Sequence, residues 1–244
     1  MYPDLFSIGP FTLHAFGAMV ALGFIGAWWF LRVDLAERGY DPEAAFWCIV
    51  GAAVGGLVGA KVWYAIDNGG GLVSGSGLTW YGGLIGGALC ALGAGVAQRI
   101  PLGQLANAAA APLALGYAVG RIGCQLAGDG DYGSPSKLPW AMSYPDGTVP
   151  TTQTVHPTPV YETLAMMVVF WALWRLRGRL GRPWELFGLY AVLAGTERFL
   201  VEFIRRNPDT VGALTTAQVF SAGLVLAGVV ILLLVRRVRV PTTG

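Results

Sequence analysis

The chain has 244 residues, 55% of them hydrophobic and 12% charged, with a formal net charge of +2 and a mean hydropathy of +0.57. That balance is the profile of a polytopic membrane protein, and no nucleic-acid partner is expected of it. Three cysteines, Cys48, Cys90 and Cys124, supply no framework of paired disulfides; the first two read as small apolar core residues.

Seven apolar stretches follow one another, roughly 13–32, 45–66, 79–98, 105–123, 160–176, 185–204 and 214–235. Each is near the ~20 residues needed to cross a ~30 Å hydrocarbon core. With backbone polar groups needing internal partners in lipid, helices are the expected spanning form. The first stretch is of full membrane length and lacks a basic flank, so it reads as a span and not as a cleaved signal. The second carries Gly51, Gly55 and Gly59 four residues apart, with Lys61 just beyond. The third carries the pairs Gly82/Gly86 and Gly83/Gly87, and the fourth Gly116, Gly120 and Gly123 on one face. Small residues so spaced let helices approach closely in a bilayer. Between the fourth and fifth stretches, residues 124–159 are rich in Gly, Pro and Asp and include Trp140, Met142 and Tyr144. A connection of that length points to an ordered cap. Neither a repeat nor symmetry between halves is visible, so one transmembrane domain over 1–244 is expected: all-α, with seven transmembrane helices.

Charge sets the orientation. With the N-terminus outside, the inner segments carry Arg32, Arg38, Arg99, Arg175, Arg177, Arg179, Arg182, Arg236, Arg237 and Arg239, and the outer ones only Lys137, Arg205 and Arg206. Asp4, Asp67, Asp129, Asp131, Asp146 and Asp209 fall outside. The positive-inside rule then puts the C-terminus in the cytoplasm.

Ionisable groups inside apolar stretches are rare and mark functional sites by default. Lys61, Arg121, Arg198 and Glu202 are such groups. Arg198, Glu202 and Arg205 stand at i, i+4 and i+7, one helical stripe, with Glu197 about a quarter-turn away. A packing ion pair is the plain reading of Arg198–Glu202, and it is weak evidence for stability. Three guanidiniums near one outer level, Arg121, Arg198 and Arg205, instead fit an anionic phosphate, which the planar fork can hold through two oxygens. For Arg121 alone, snorkelling to the headgroups is the simpler reading. The run Gly128-Asp129-Gly130-Asp131-Tyr132-Gly133 lacks the further ligands of a calcium loop, so a turn with Asx hydrogen bonds is expected and no metal. His156, opening the fifth stretch behind its prolines, reads equally as a general base or as an interfacial hydrogen-bonding residue. His14 has the same two readings.

These pieces together resemble the prolipoprotein diacylglyceryl transferase family. The resemblance rests on His14-Ala15-Phe16-Gly17, Gly59-Ala60-Lys61, Trp80-Tyr81-Gly82-Gly83-Leu84-Ile85-Gly86-Gly87, Gly120-Arg121-Ile122-Gly123, Leu138-Pro139-Trp140-Ala141, His156-Pro157-Thr158-Pro159-Val160-Tyr161-Glu162, and Arg198-Phe199 through Glu202-Phe203 to Arg205. They occur in the family's order over nearly the whole chain. The resemblance implies a multi-pass enzyme of the bacterial cytoplasmic (inner) membrane that needs no cofactor. It would move the diacylglyceryl group of phosphatidylglycerol onto the lipobox cysteine of a prolipoprotein, forming a thioether and releasing glycerol phosphate. Arg121 and Arg198 match the family's essential arginines, and Glu202 and Arg205 the acid and base that accompany them. The residues expected to act in catalysis are Arg121, Arg198, Tyr81 and His156. Substrate contacts are expected from Arg121, Arg198, Glu202, Arg205, Lys61, His14, Asp129, Asp131, Gly133, Tyr161 and Glu162.

The chain departs from the family's pattern at several of these positions. Tyr81 stands where the family has a histidine, Cys124 where it has an asparagine, Phe16 for a tyrosine and Lys61 for an arginine, and one residue is inserted before the acidic position at Asp129 or Asp131. Tyr81 is a poor base at neutral pH, so His156 or Asp131 is left to deprotonate the thiol, and Cys124 reads as a packing residue. The alternative function is a transporter or binding protein for an anionic lipid or solute. Such proteins tend to show repeats and broken midplane helices, and neither is seen here.

Overall fold

A computed structural model describes residues 1–9, 11–68, 79–207 and 212–237. Asp209 and Arg239, counted above for orientation, lie outside the described residues. The chain is mostly helical. Its α-helices are α1 (Ala15–Glu37), α2 (Ala44–Asn68), α3 (Trp80–Ala97), α4 (Leu102–Ala127), α5 (Thr158–Leu176), α6 (Glu185–Val201) and α7 (Thr216–Arg237). Among the described residues, three stretches are long and apolar enough by themselves to cross a membrane: Ala15–Glu37, Ala44–Asp67 and Thr216–Arg237. α4, α5 and α6 carry Asn107, Arg121, Glu162, Glu197 and Arg198, which dilute their apolar character. Outward-facing Leu22, Ile25, Leu57, Val168, Leu226 and Leu234 are exposed, the pattern of a bundle whose solvent is hydrocarbon.

Helix ends are placed by polar partners that the apolar runs do not reveal. α1 continues past 32 because Asp34 and Glu37 meet Arg38 and Arg177. α4 continues past 123 to Ala127, so Cys124 belongs to the helix and not to the connection. There Gly128 takes a left-handed conformation (φ 59°) and its N–H closes on the Cys124 carbonyl, a glycine stop. α6 begins after Trp184, whose side chain provides no cap. Instead, the buried Asn107 of α4 accepts from the N–H groups of Leu186 (3.0 Å) and Phe187 (3.2 Å), satisfying amides a helix start leaves unpaired.

α2 and α3 form the closest helix pair. A Cβ at Gly59 would run into the Gly82 carbonyl, and one at Gly51 would come within 2.9 Å of the Cys90 carbonyl. Glycine spacing there does what close approach requires. Cys90 itself, expected in the core, is exposed and lies against Gly55 of α2, while Cys48 is buried. Elsewhere Ala110, Ala114, Leu115, Met166, Phe170 and Leu186 form a core shared by α4, α5 and α6.

One end of the bundle is capped. A hairpin the sequence did not reveal, β1 (Asp4–Ile8) with β2 (Phe11–His14), leads into α1, and Tyr2 N–H bonds the Leu126 carbonyl at the end of α4. The 128–157 connection is ordered, as expected. It holds the antiparallel pair β3 (Met142–Tyr144) and β4 (Thr151–Val155) over a small core of Tyr132, Tyr144 and Val155.

Candidate functional site

Four segments bring charge together beneath this cap: the last turns of α4, the 129–133 turn, the first turns of α5, and the end of α6. Arg121 projects from α4 and is mostly buried. Its Nη1 pairs with Asp131, its Nε lies 2.7 Å from Glu162 Oε2, and its guanidinium lies 5.1 Å from the centre of the Tyr117 ring. Snorkelling is therefore not its role. Asp131 is carried to it by the turn expected of Asp-Gly-Asp: Asp129 Oδ1 accepts from Asp131 N–H at 3.2 Å. Thr158 Oγ1 donates to the Asp131 carbonyl and ties that turn to α5. Gly133 is required beside it. A Cβ there would collide with the Ile204 carbonyl and lie 3.0 Å from the His156 Cβ.

Glu162, fully buried on α5, is the hub. Oε2 faces Arg121 Nε and accepts from Tyr117 Oη, while Oε1 accepts from Arg205 Nη1 at 2.9 Å. Arg205 also pairs with Asp131, and its Nε is 3.7 Å from Glu202 Oε2. α6 does not run on as a regular helix through this stripe. It tightens into a 3-10 turn at Glu202–Ile204 and then extends at Arg205, which turns that side chain toward α5. Glu202 is buried too. Oε2 pairs with Arg198 Nη1, and Oε1 accepts from Asn207 Nδ2 (2.7 Å) and Thr215 Oγ1 (2.8 Å), the latter just before α7. The result is one relay, Arg121–Glu162/Asp131–Arg205–Glu202–Arg198. Arg121 and Arg198 share no carboxylate; Arg205 and its three acids, Asp131, Glu162 and Glu202, join them.

Arg121 pairs with Asp131 and Glu162 and bonds Tyr117 Oη at 3.2 Å, and Arg205 pairs with Asp131 and Glu162 and lies near Glu202. Arg198 differs: among the described residues only its Nη1 has a carboxylate partner, and the side chain keeps 22% of its surface exposed. Among the described residues, Nε and Nη2 form an open donor edge. Burial raises the affinity of the Asp131 carboxyl for a proton, but Arg121 and Arg205 outweigh it and hold Asp131 below the ordinary carboxylate value. Asp129 goes the other way. Burial pushes its carboxyl up, and the Cys124 hydrogen bond only partly offsets that. The Cys124 sulfur, Asp129 and Asp131 offer ligand atoms within 4.8 Å of one another, yet Asp131 is already committed to two guanidiniums, which makes the group unsuited to a cation.

The remaining expected residues meet other partners. His156 Nδ1 is 3.4 Å from Tyr161 Oη, which accepts from Trp140 Nε1 at 2.8 Å. This is a second, surface-facing chain beside Gly133. His14 pairs with Asp4 at 2.6 Å and is exposed on the hairpin. Lys61 lies on α2 with its ammonium 5.9 Å from the centre of the Tyr64 ring. Tyr81 packs edge-on against Phe220 and lines an apolar groove of about 520 Å³ between α3 and α7. That groove includes Thr216, next in sequence to the Thr215 that bonds Glu202. Tyr117, Thr158, Asn207 and Thr215 were missed by sequence reasoning. For Tyr117 a signal existed, since it stands one helical turn before Arg121.

The family model for prolipoprotein diacylglyceryl transferase matches residues 3–234. Three relatives named phosphatidylglycerol–prolipoprotein diacylglyceryl transferase illustrate the similarity. That of Chromohalobacter salexigens is 32% identical, over 97% of this chain and 94% of the relative. That of Clostridium tetani is 30% identical, over 94% and 96% respectively. That of Rhodospirillum rubrum is 28% identical, over 97% and 93%.

Proposed function

The chain belongs to the prolipoprotein diacylglyceryl transferase family, and on that premise we propose that the relay beneath its cap binds the phosphate of phosphatidylglycerol and transfers the lipid's diacylglyceryl group to a prolipoprotein. The acceptor is the lipobox cysteine. Its thiol loses a proton and the sulfur attacks the glyceryl carbon that bears the phosphate. The S–C bond forms as the C–O bond to phosphate breaks, and glycerol phosphate leaves with the electron pair. The transporter reading is set aside by family membership.

The observation that carries the site assignment is the open edge of Arg198. A phosphate oxygen pair can take Nε and Nη2 while Nη1 stays on Glu202, so binding does not dismantle a buried ion pair. Arg121 and Arg205, fixed by Asp131 and Glu162, present positive charge preorganised for the leaving phosphate, the kind of term that usually dominates catalysis. The apolar groove at Tyr81 adjoins this point through Thr215 and Thr216 and suits acyl chains. The Trp140–Tyr161–His156 chain and Gly133 line the side from which a peptide reaches the relay. Lys61 and His14 stand at the same end as auxiliary contacts to headgroups.

We further propose that all seven helices span the bacterial inner membrane, with the N-terminus and cap outside and the C-terminus in the cytoplasm. The arginine asymmetry supports this orientation. The alternation of helix directions agrees, since Thr79 N–H meets the Ala60 carbonyl and Thr215 meets Glu202 at the capped end, while Arg38 meets Gln104 and Arg182 meets the Val235 carbonyl at the other.

Purified protein in phosphatidylglycerol micelles with a lipobox peptide tests the reading. Lipidated peptide and released glycerol phosphate are expected from the wild type, and from a folded Arg198→Ala protein at a rate about 10²–10³-fold lower. Full turnover by that variant contradicts the assignment.

A further inference from the structure

The acceptor thiol must lose a proton, and most carboxylates of the relay are poorly placed to take it. Both oxygens of Glu162 are occupied, by Arg121 and Tyr117 on one side and Arg205 on the other. Asp131 is divided between Arg121 and Arg205. Glu202 is divided between Arg198 and the Asn207–Thr215 pair. Asp129 accepts from the Asp131 N–H and bonds Cys124. A carboxylate held by guanidiniums in this way has its charged form stabilised and is a weak proton acceptor; at Asp129, which burial pushes up, the hydrogen bonds to Cys124 and to the Asp131 N–H already engage the carboxyl.

Glu197 is different. It sits one residue before Arg198 on α6, and its Oε2 is buried with no hydrogen-bond partner among the described residues. Buried carboxyl oxygens in native proteins are nearly always bonded, so such an atom calls for a specific explanation. The charged and titratable groups that face it are Tyr117 and Arg121 from α4, Glu162 from α5, Arg198 on its own helix and Arg205 beyond it. α7 packs against α6 at Gly195 and brings no titratable side chain before Arg236 and Arg237 at its far end. Glu197 is thus the carboxylate next to Arg198 in sequence that keeps one oxygen uncommitted among the described residues.

We propose that Glu197 is the catalytic base that takes the proton of the prolipoprotein cysteine, a role that rests on the transferase reading above. The S–H proton passes to the Glu197 carboxylate, and the thiolate attacks the glyceryl carbon. The C–O bond breaks toward phosphate, and the proton on Glu197 departs with the phosphate group or to water, restoring the carboxylate. This assigns to α6 both the phosphate contact and the proton acceptor, on adjacent residues, and it relieves Tyr81 and His156 of that duty. The other buried polar atom lacking a partner among the described residues, Arg38 Nη2 at the opposite end of the bundle, cannot take this role, since a guanidinium does not release its proton in proteins.

Glu197→Gln keeps the size of the side chain and removes its basicity. General-base removal is expected to lower kcat by about 10²–10⁴-fold, with phosphatidylglycerol affinity, measured separately by lipid binding, unchanged. The wild-type rate should rise with pH and then level as the base ionises. In the variant that limb should vanish, and the rate should climb only as the thiol itself ionises near its ordinary value of about 8.5. Glu197→Asp should restore the limb with part of the rate. Turnover within about threefold of wild type and an unmoved pH profile in Glu197→Gln would overturn the proposal, as would loss of lipid binding in that variant. Should Glu197→Gln fail to fold, difference infrared spectra of wild type and the Asp variant decide: a carboxyl band that titrates along with the rate supports the role, and its absence overturns it. No transfer by the wild type, or full turnover by Arg198→Ala, would sink the transferase site itself; an inactive Arg198→Ala beside an unaffected Glu197→Gln would sink the base alone.

Discussion

At one end of the bundle Arg38 and Arg177 meet Asp34 and Glu37; at the capped end Arg121, Arg198 and Arg205 meet Asp131, Glu162 and Glu202. The ingredients are alike, and so is one consequence, since each cluster ties together helices that the apolar core would leave free to slide. The far cluster is wrapped around Arg177, while Arg38 keeps one buried nitrogen, Nη2, without a partner among the described residues. Arg177 stacks 3.6 Å from the Trp174 ring centre and donates to the Trp174 carbonyl and to both Glu37 oxygens, while Arg38 bonds Asp34 and Gln104. In the capped cluster, among the described residues, Arg198 donates through Nη1 alone and Glu197 Oε2 has no partner. Both networks therefore stop short somewhere, and the difference lies in the arginine. Arg177 commits all three nitrogens to latching α1 and α5, and Arg198 keeps two for a ligand.

Breaking the comparison at its two arginines should give the largest effect. Arg198→Ala is expected to lose about 10²–10³-fold in turnover, the cost of removing a preorganised donor from a developing anion, whereas Arg177→Ala should keep turnover within a few-fold. Transfer of labelled diacylglyceryl to a lipobox peptide reads both, and equal losses would erase the distinction drawn between the ends. Removing the hub sharpens it further. Glu162→Gln leaves Arg121 and Arg205 with a buried, half-paired charge and should destabilise the protein by about 3–5 kcal/mol, seen as a lower midpoint in detergent unfolding. Asp34→Asn, where Glu37 still holds Arg177, should cost less, about 1–3 kcal/mol.

The helix pair away from both clusters gives a smaller effect. Gly59→Ala forces α2 from the Gly82 carbonyl and should cost about 1–3 kcal/mol by overpacking, with turnover per folded molecule retained. The smallest concerns pH. Because Arg121 and Arg205 hold Asp131 below its ordinary value of 3.8, its stabilising contribution is present above that value and fades as pH falls through its lower folded value. The wild type should lose stability on acidification below about pH 4, and Asp131→Asn should show a shallower acid limb in melts across that range.

Much of this architecture was legible in the apolar runs. The seven helices of the described residues lie within a few residues of the stretches read from the sequence, because long apolar runs are a strong local signal. Where ends moved, polar partners distant in sequence moved them: Arg177 for α1, and the Gly128 stop for α4 after an apolar turn that hides it. The first hairpin was not legible, since Asp4–Ile8 is five residues of mixed character beside a long helix. At the site, Arg198 and Glu202 announced their pairing by spacing, and the Asx turn at Asp129 by composition. That Glu162 is the hub was not readable, since its partners come from α4 and from beyond α6. Nor was Asn107, one amide in an alanine-rich run that caps a helix 79 residues later.

Binding of phosphatidylglycerol to the Arg198→Ala and Arg177→Ala proteins, both in detergent and both shown to be folded, tests the central claim most directly. The account predicts that the first loses saturable binding and glycerol phosphate release while the second keeps both. Saturable binding that survives Arg198→Ala unchanged would contradict it.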